Sequence, residues 1–319
     1  MKKILLSMVC LVMVGMQSVN AQVAIAALHK GGKVTTYPAA AIQSAVDDAV
    51  AGDTIYLSEG IFGGFTVSKP IVMIGAGQTT MISHDVIIGD QNSAPTVAEG
   101  LLLSGMNIIQ NVGFNGNITG ARISQCKIAG SCWFGSSYSL NSYDNIEIVM
   151  SQIYSLVLSE QYLKQYIKGL SVVASKIVYI KYGGSTDGAV TFLNCNINSS
   201  GKGFAGEGNN NFVNCIISRL GPGVYQNCLY IENNYGDLAV IYECYNNTDF
   251  TLDDNLNCSL TDDELKAAGY LGPDNTWVGI GGGEVKFSLV MPTVQVVEHS
   301  VGVNQAERKL NVTLKFGNK

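Results

Sequence analysis

Three charged residues are of the types used in elimination chemistry: Lys181 and Asp187, in and after one strand, and Arg219 in a later loop. In such a reaction a basic side chain removes the proton next to a uronate carboxylate, and a cation stabilises the enolate that forms. Lys181 and Arg219 could fill these roles beside the carboxylate of Asp187. The sequence does not show that the three side chains converge, so ordinary charges on solvent-exposed loops are the alternative.

A second set of residues is suited to holding a sugar chain. Lys127 and Lys176 occupy equivalent outward positions of a repeat and could hydrogen-bond a glycan or neutralise a uronate. Trp133, Tyr138 and Tyr182 carry flat aromatic faces, which stack on pyranose rings. The alternatives are a solvated sheet surface for the lysines and packing against the neighbouring coil for the aromatic loops.

Acidic clusters and histidines give little support for a metal site. Asp253-Asp254 could bind calcium, whereas Asp262-Asp263-Glu264 is better explained as the first turn of a helix, where carboxylates are favoured. His29, His84 and His299 share no metal-ligand spacing. We therefore predict no resident metal and no cofactor, and leave calcium open as a ligand.

A short repeat must position these residues. Its phrase is an apolar residue, a spacer, a polar residue, cysteine, a spacer and an apolar residue, as in Phe192-Leu193-Asn194-Cys195-Asn196-Ile197. The polar residue is expected at a bend, because asparagine tolerates left-handed backbone geometry at low cost, and successive asparagines are expected to hydrogen-bond to one another. Spacings of 20 to 25 residues between equivalent positions suit one solenoid coil of three short strands.

Two aspects of the repeat stay open. The last steps, to Cys228 and Cys244, are only 13 and 16 residues long and indicate either another face of the coil or a broken register. Seven cysteines follow Cys10, an odd number that forbids a fully paired disulfide framework. Most occupy the inward position, which favours buried small apolar residues, although a disulfide between Cys258 and a neighbour is left open.

The ends of the chain differ from the repeat. A helix over 39–51, with Ile42, Val46 and Val50 on its apolar face, is predicted to cap the first coil. Thr261 and Glu264 form a capping-box pattern for a helix over 262–268, and the tail from 292 alternates like two strands. The predicted organisation is a signal peptide (1–21), a solenoid with its N-terminal cap (22–258), and a C-terminal cap and extension (259–319).

The first 21 residues predict export. Lys2 and Lys3 precede an apolar run that is too short to span a membrane, followed by small residues up to Ala21, as in secretory signals. We therefore expect a periplasmic, cell-surface or extracellular protein without a membrane span. The net charge of −6 argues against nucleic acid as a partner.

Several segments resemble the right-handed parallel β-helix proteins of the pectate-lyase-like superfamily. These segments are Ile42-Gln43-Ser44-Ala45-Val46, Gly52-Asp53-Thr54-Ile55-Tyr56-Leu57 with Gly60-Ile61-Phe62, and Ser68-Lys69-Pro70-Ile71-Val72-Met73-Ile74-Gly75-Ala76-Gly77. Gly279-Ile280-Gly281-Gly282-Gly283 and Leu310-Asn311-Val312 resemble the end of secreted Bacteroidetes β-helix proteins. The resemblance implies an all-β, right-handed parallel β-helix with an N-terminal capping helix and a C-terminal strand-rich extension.

The resemblance also implies acidic polysaccharides as substrates, cleaved by calcium-dependent lyases or by hydrolases with clustered aspartates. The central repeats contain no aspartate-rich strand that would match either set. The leading hypothesis is therefore a secreted protein that binds a polysaccharide or cell-surface glycan. The alternatives are a polysaccharide lyase or glycoside hydrolase using Lys181, Arg219 and Asp187, and a structural or adhesive surface protein.

Overall fold

The structure is a computed structural model. It describes residues 24–90, 96–135, 141–159, 165–182, 186–187, 190–199, 210–233, 236, 239–272, 274–290, 294–304 and 309–318. The predicted signal peptide and Tyr138 lie outside these ranges. The described part is all-β, with two long sheets, a separate two-stranded sheet and short helices.

The first sheet is parallel except at its N-terminal end. In pairing order its strands are Lys33–Pro38, Ile25–Lys30, Thr54–Leu57, Val72–Ile74, Thr96–Ser104, Ile118–Ser124, Ser142–Val149, Gln165–Val173, Val190–Leu193, Asn211–Val213, Gly223–Gln226 and Ala239–Tyr242. The short strand Thr186–Asp187 also pairs with Gln165–Val173.

The second sheet is parallel throughout. Its main strands are Gly60–Phe62, Thr80–Ile82, Asn107–Ile108, Lys127–Phe134, Gln152–Ser159, Lys176–Tyr182, Asn196–Ser199, Ile216–Leu220, Leu229–Asn233 and Tyr245–Asn246. A side branch, Phe65–Val67, Val86–Ile88 and Val112–Phe114, joins the second half of Lys127–Phe134.

The chain alternates between the two sheets, so each pass adds one parallel strand to each. Ile123 pairs with Ile148, Ile148 pairs with Val172, and Val172 pairs with Phe192. Inward residues of successive strands therefore stack, and Phe192, Phe212 and Tyr225 form a fully buried column with ring centroids 4.6 Å apart. This arrangement is compatible with a β-helix.

The bend between the sheets has left-handed backbone geometry, as predicted for the asparagines. The column consists of Gln125, Met150, Ala174, Asn194, Asn214, Asn227 and Glu243, with φ between 46° and 54°. The predicted hydrogen-bonded asparagine ladder is absent among the described residues. Asn194 Nδ2 and Asn214 Oδ1 are buried without a hydrogen-bond partner there.

The column after the bend is buried from Cys126 to Cys228, as the cysteine pattern predicted, and half-buried at Cys244. The backbone N–H of Cys126 donates to Ser151 Oγ (3.3 Å), and that of Cys228 donates to Cys244 Sγ (3.4 Å). The short final steps keep the register, because Asn211–Val213 pairs directly with Gly223–Gln226. Both alternatives predicted for these steps are therefore wrong. The seven cysteines of the described part, including Cys258, are free.

The N-terminal cap contains more than the predicted helix. The α-helix spans Ile42–Asp48 after a 3-10 turn at Ala39–Ala41. The prediction that Val50 lies on its buried face is wrong, because the helix ends before Val50, which is 51% exposed. A hairpin that was not predicted covers the edge of the first sheet, with Ile25–Lys30 antiparallel to Thr54–Leu57.

The C-terminal elements agree with the sequence pattern. The helix Asp262–Ala267 begins at a capping box in which Thr261 and Glu264 bond each other reciprocally. Gly269, with φ of 73°, follows its C-terminal end. The strands Val294–Asn304 and Lys309–Asn318 pair antiparallel as a separate two-stranded sheet.

Candidate functional site

The C-terminal segment 247–290 folds back over the outer face of the second sheet, and we call it the cover. Outward residues Ile216 and Leu229 of that sheet form an apolar cluster with Phe250, Leu265 and Val278 of the cover. All five side chains are at most 2% exposed. Burial of this much apolar surface fixes the cover on the sheet.

Glycines let the cover approach the bend closely. The backbone N–H of Gly279 donates to the carbonyl of Asn214 (2.7 Å), and a β-carbon at Gly283 would lie 2.6 Å from Asn194 Nδ2. Further along, Gln125 Nε2 donates to the carbonyl of Val290 (3.0 Å). The glycine-rich segment at 279–283 is thus explained by packing against the bend.

The cover also encloses part of the predicted binding row. Lys127, Gln152 and Lys176 are paired in register on the second sheet, as expected. Lys176, however, is only 6% exposed, and its Nζ donates to Asn257 Oδ1 (2.6 Å). Burial lowers the pKa of Lys176, and the charge of Asp253 partly opposes this. The ammonium of Lys176 therefore contacts the cover and does not lie on an open surface.

A cleft of about 590 Å³ lies between the second sheet and the first part of the cover. Its floor is the outer face of the second sheet, and its wall is the loop from Leu252 to Leu256. The residues that carry its chemistry are Lys127, Gln152, Tyr154, Tyr179, Asn198, Asp253 and Asp254. Small-molecule sites fall in the range of about 300–1,000 Å³, so the cleft is large enough for a ligand.

Two tyrosines form the aromatic part of the cleft. Tyr154 is 52% exposed and Tyr179 is 39% exposed. Their rings meet edge to face, with centroids 5.6 Å apart and planes at 83°. Such a pair holds both rings in place and leaves aromatic surface open to a flat apolar partner.

The polar groups of the cleft differ in what they already bind. Asp253 accepts hydrogen bonds from the backbone of Asn255 and from the backbone and side chain of Asn257. The bonds from Asn257, backbone first, hold the pKa of Asp253 below its usual value. Within the described residues, no side-chain hydrogen bond or ion pair engages Lys127, Gln152 or Asn198. These three side chains can therefore turn donors and acceptors toward a ligand.

The described strands distribute the proposed elimination residues over both sheets. Lys181 and Arg219 are on the second sheet, in strands separated by Asn196–Ser199, whereas Asp187 pairs with Tyr166 on the first sheet. Arg219 forms an ion pair with Glu232 (3.3 Å). The side chains of Asp187 and Tyr182 lie outside the described set.

Trp133 lies on the second sheet, away from the cleft. It is half-buried, and its indole packs against Gly113 of the preceding strand, where a β-carbon would collide with the ring. Its outward row continues through Val157 to Lys181. Trp133 is therefore partly used in packing between coils, and its remaining surface faces the Lys181 side of the sheet.

Sequence reasoning missed the cover, and Tyr154 of the cleft lies in the strand Gln152–Ser159. A signal for the cover was present. The outward row changes from Lys127, Gln152 and Lys176 to Ile216 and Leu229, and an apolar outer row requires something to bury it.

The described residues contain no group of three or more histidine, cysteine, aspartate or glutamate side chains placed to hold a metal. Among them, no helix has the length and apolar character needed to cross a membrane. No family model matches the sequence, and no match was found among the curated proteins or the solved structures.

Proposed function

We propose that the protein is an exported right-handed parallel β-helix that binds a polysaccharide or cell-surface glycan in the cleft. The parallel pairing of successive strands in both sheets supports the β-helix, which is also the fold implied by the resemblance to the pectate-lyase-like superfamily. The leader-like first 21 residues support export. Binding is supported by the cleft itself.

The observation that carries the binding proposal is the pairing of open tyrosine surface with unengaged amides in one cleft. Tyr154 and Tyr179 supply apolar faces, and Gln152 and Asn198 supply donors and acceptors beside them. Sugar rings present the same combination, with apolar C–H faces and hydroxyl edges, so both parts of a sugar would find a partner.

Catalysis has less support than binding. A lyase or hydrolase needs its acid, base and charge-stabilising groups within reach of one reacting centre. The described positions of Lys181, Arg219 and Asp187 are distributed over two sheets. A structural or adhesive role without a glycan site would leave the open tyrosines of the cleft without a use.

The test is native electrophoresis of the protein lacking residues 1–21 through gels that contain plant, algal or host glycans. Retardation in at least one gel is expected for the wild type and should be lost in a variant with Tyr154→Ala and Tyr179→Ala. Tyr242→Ala is the matched control, because Tyr242 is 57% exposed but lies on the first sheet. Equal retardation of all three proteins would refute binding in the cleft, and a cleared zone would establish cleavage.

A further inference from the structure

We infer that the cleft selects an uncharged glycan and excludes uronate polymers. The inference rests on the proposed function and specifies its ligand class. It departs from the acidic substrates that the resemblance implies. The observation behind it is the distribution of charge around the cleft, where two cations are matched by two carboxylates.

The first pair of charges consists of Asp253 in the wall of the cleft and Lys176 on the second sheet beneath the cover. Asp253 lies beside Lys176, and each of the two charges shifts the pKa of the other. Lys176 is 6% exposed and already bonded to Asn257, so its ammonium cannot reach a ligand carboxylate in the cleft. A uronate would instead meet the exposed carboxylate of Asp253.

The second pair lines the cleft itself. Lys127 on the floor is the one cation among the described lining residues, and Asp254 on the wall is exposed and lines the same cleft. Counting Lys176, two positive and two negative charges surround the cleft. Their sum is zero, so a polyanion gains no net attraction to the cleft at long range, and salt screens individual charges beyond the Debye length of about 8 Å. The chain as a whole, at −6, repels it.

A bridging calcium ion would change this balance only if free carboxylate oxygens were available. Both oxygens of Asp253 already accept hydrogen bonds from the loop, which leaves Asp254 alone at the rim. Calcium needs six to eight oxygen ligands, a number that one free carboxylate does not approach. The groups that remain for recognition are the tyrosine faces and the amides of Gln152 and Asn198, which suit neutral hydroxyls.

The test compares mobility in gels cast with hydroxyethylcellulose or glucomannan against gels cast with polygalacturonate or alginate, each relative to a plain gel. We expect the neutral polymers to retard the wild type and the uronate polymers to leave its mobility unchanged, with calcium or with a chelator. Retardation by the neutral polymers should change by less than about twofold between 20 and 300 mM salt, since no counterions are released.

A charge reversal in the wall tests the cause. Asp254→Lys should create retardation by polygalacturonate that disappears at high salt, whereas Glu59→Lys, an equal charge change at an exposed site far from the cleft, should not. Wild-type retardation by uronates alone would overturn the inference while leaving glycan binding intact. Retardation by none of the four polymers would overturn the inference and count against the proposed function as well.

Discussion

Replacing Lys176 with methionine tests how the cover is held on the sheet. Methionine keeps the apolar stem of Lys176, a residue that is 6% exposed, and removes the ammonium, which is bonded to Asn257 and lies 4.7 Å from the centroid of the Phe287 ring. Loss of a hydrogen bond from a charged group costs about 1.5–3 kcal/mol. Removing a buried charge also removes its desolvation penalty of several kcal/mol, which stabilises the folded state. Since burial lowers the pKa of Lys176, desolvation outweighs the favourable contacts.

We therefore expect Lys176→Met to change the free energy of unfolding at pH 7 by less than about 1 kcal/mol. Breaking a buried ion pair would cost about 3–5 kcal/mol, but here the partners, Asn257 and Asp253, are exposed and leave no buried charge behind. Urea denaturation measures the difference. As a control, Ile177→Ala at a fully buried neighbouring position should lower the free energy of unfolding by about 2–5 kcal/mol, which shows that the assay responds.

The pH dependence of the free energy of unfolding tests the sign of the contribution of Lys176 independently of its size. The folded pKa of Lys176 lies below its unfolded value of 10.5, so the unfolded chain binds more protons between the two values. Wild-type stability should therefore rise relative to Lys176→Met as the pH approaches 10.5. A loss above about 3 kcal/mol at pH 7, or a difference that falls with pH, would show that the ammonium is a net stabiliser.

Three further outcomes are expected. Phe212→Ala, in the stacked aromatic column, should lower the free energy of unfolding by about 3–5 kcal/mol, and Leu193→Ala, at a 37% exposed position, by less than about 1 kcal/mol, both by urea denaturation. Iodoacetamide should label at most Cys244 and Cys258 in the folded protein lacking residues 1–21, as counted by mass spectrometry, because the other five thiols are buried. The hydrogen bonds of Asp253 hold its pKa below 3.8, so their contribution to the cleft wall should decline as the pH falls below 3.8 and be lost as the pH falls through the folded pKa; glycan retardation, measured against a plain gel at each pH, should weaken over the same range.

The repeat could be read from the sequence because its determinants are local. The residue at the bend needs left-handed geometry, which favours Asn194. The residue after the bend must fit a buried column of constant volume, which favours Cys195. The short steps to Cys228 and Cys244 could not be resolved that way. Coil length depends on the loops, whereas register depends on the strands, and here the loops shorten while the strands stay aligned.

The candidate site was harder to predict because it depends on contacts between distant segments. Lys127 and Lys176 have the same place in the repeat, yet only Lys176 is enclosed, by residues about 80 positions later. Repeat position fixes the direction of a side chain but not what lies over it. The apolar outward residues Ile216 and Leu229 carried the missing information, since an outer row changes character where it is covered.

Hydrogen exchange read by mass spectrometry, with and without glucomannan oligosaccharides, tests most directly whether the cleft is the binding site. Protection is predicted in peptides spanning 152–157 and 252–257, which form the floor and the wall, and it should be absent in the variant with Tyr154→Ala and Tyr179→Ala. Protection confined to the first sheet, or protection that survives in that variant, would contradict a glycan site in the cleft.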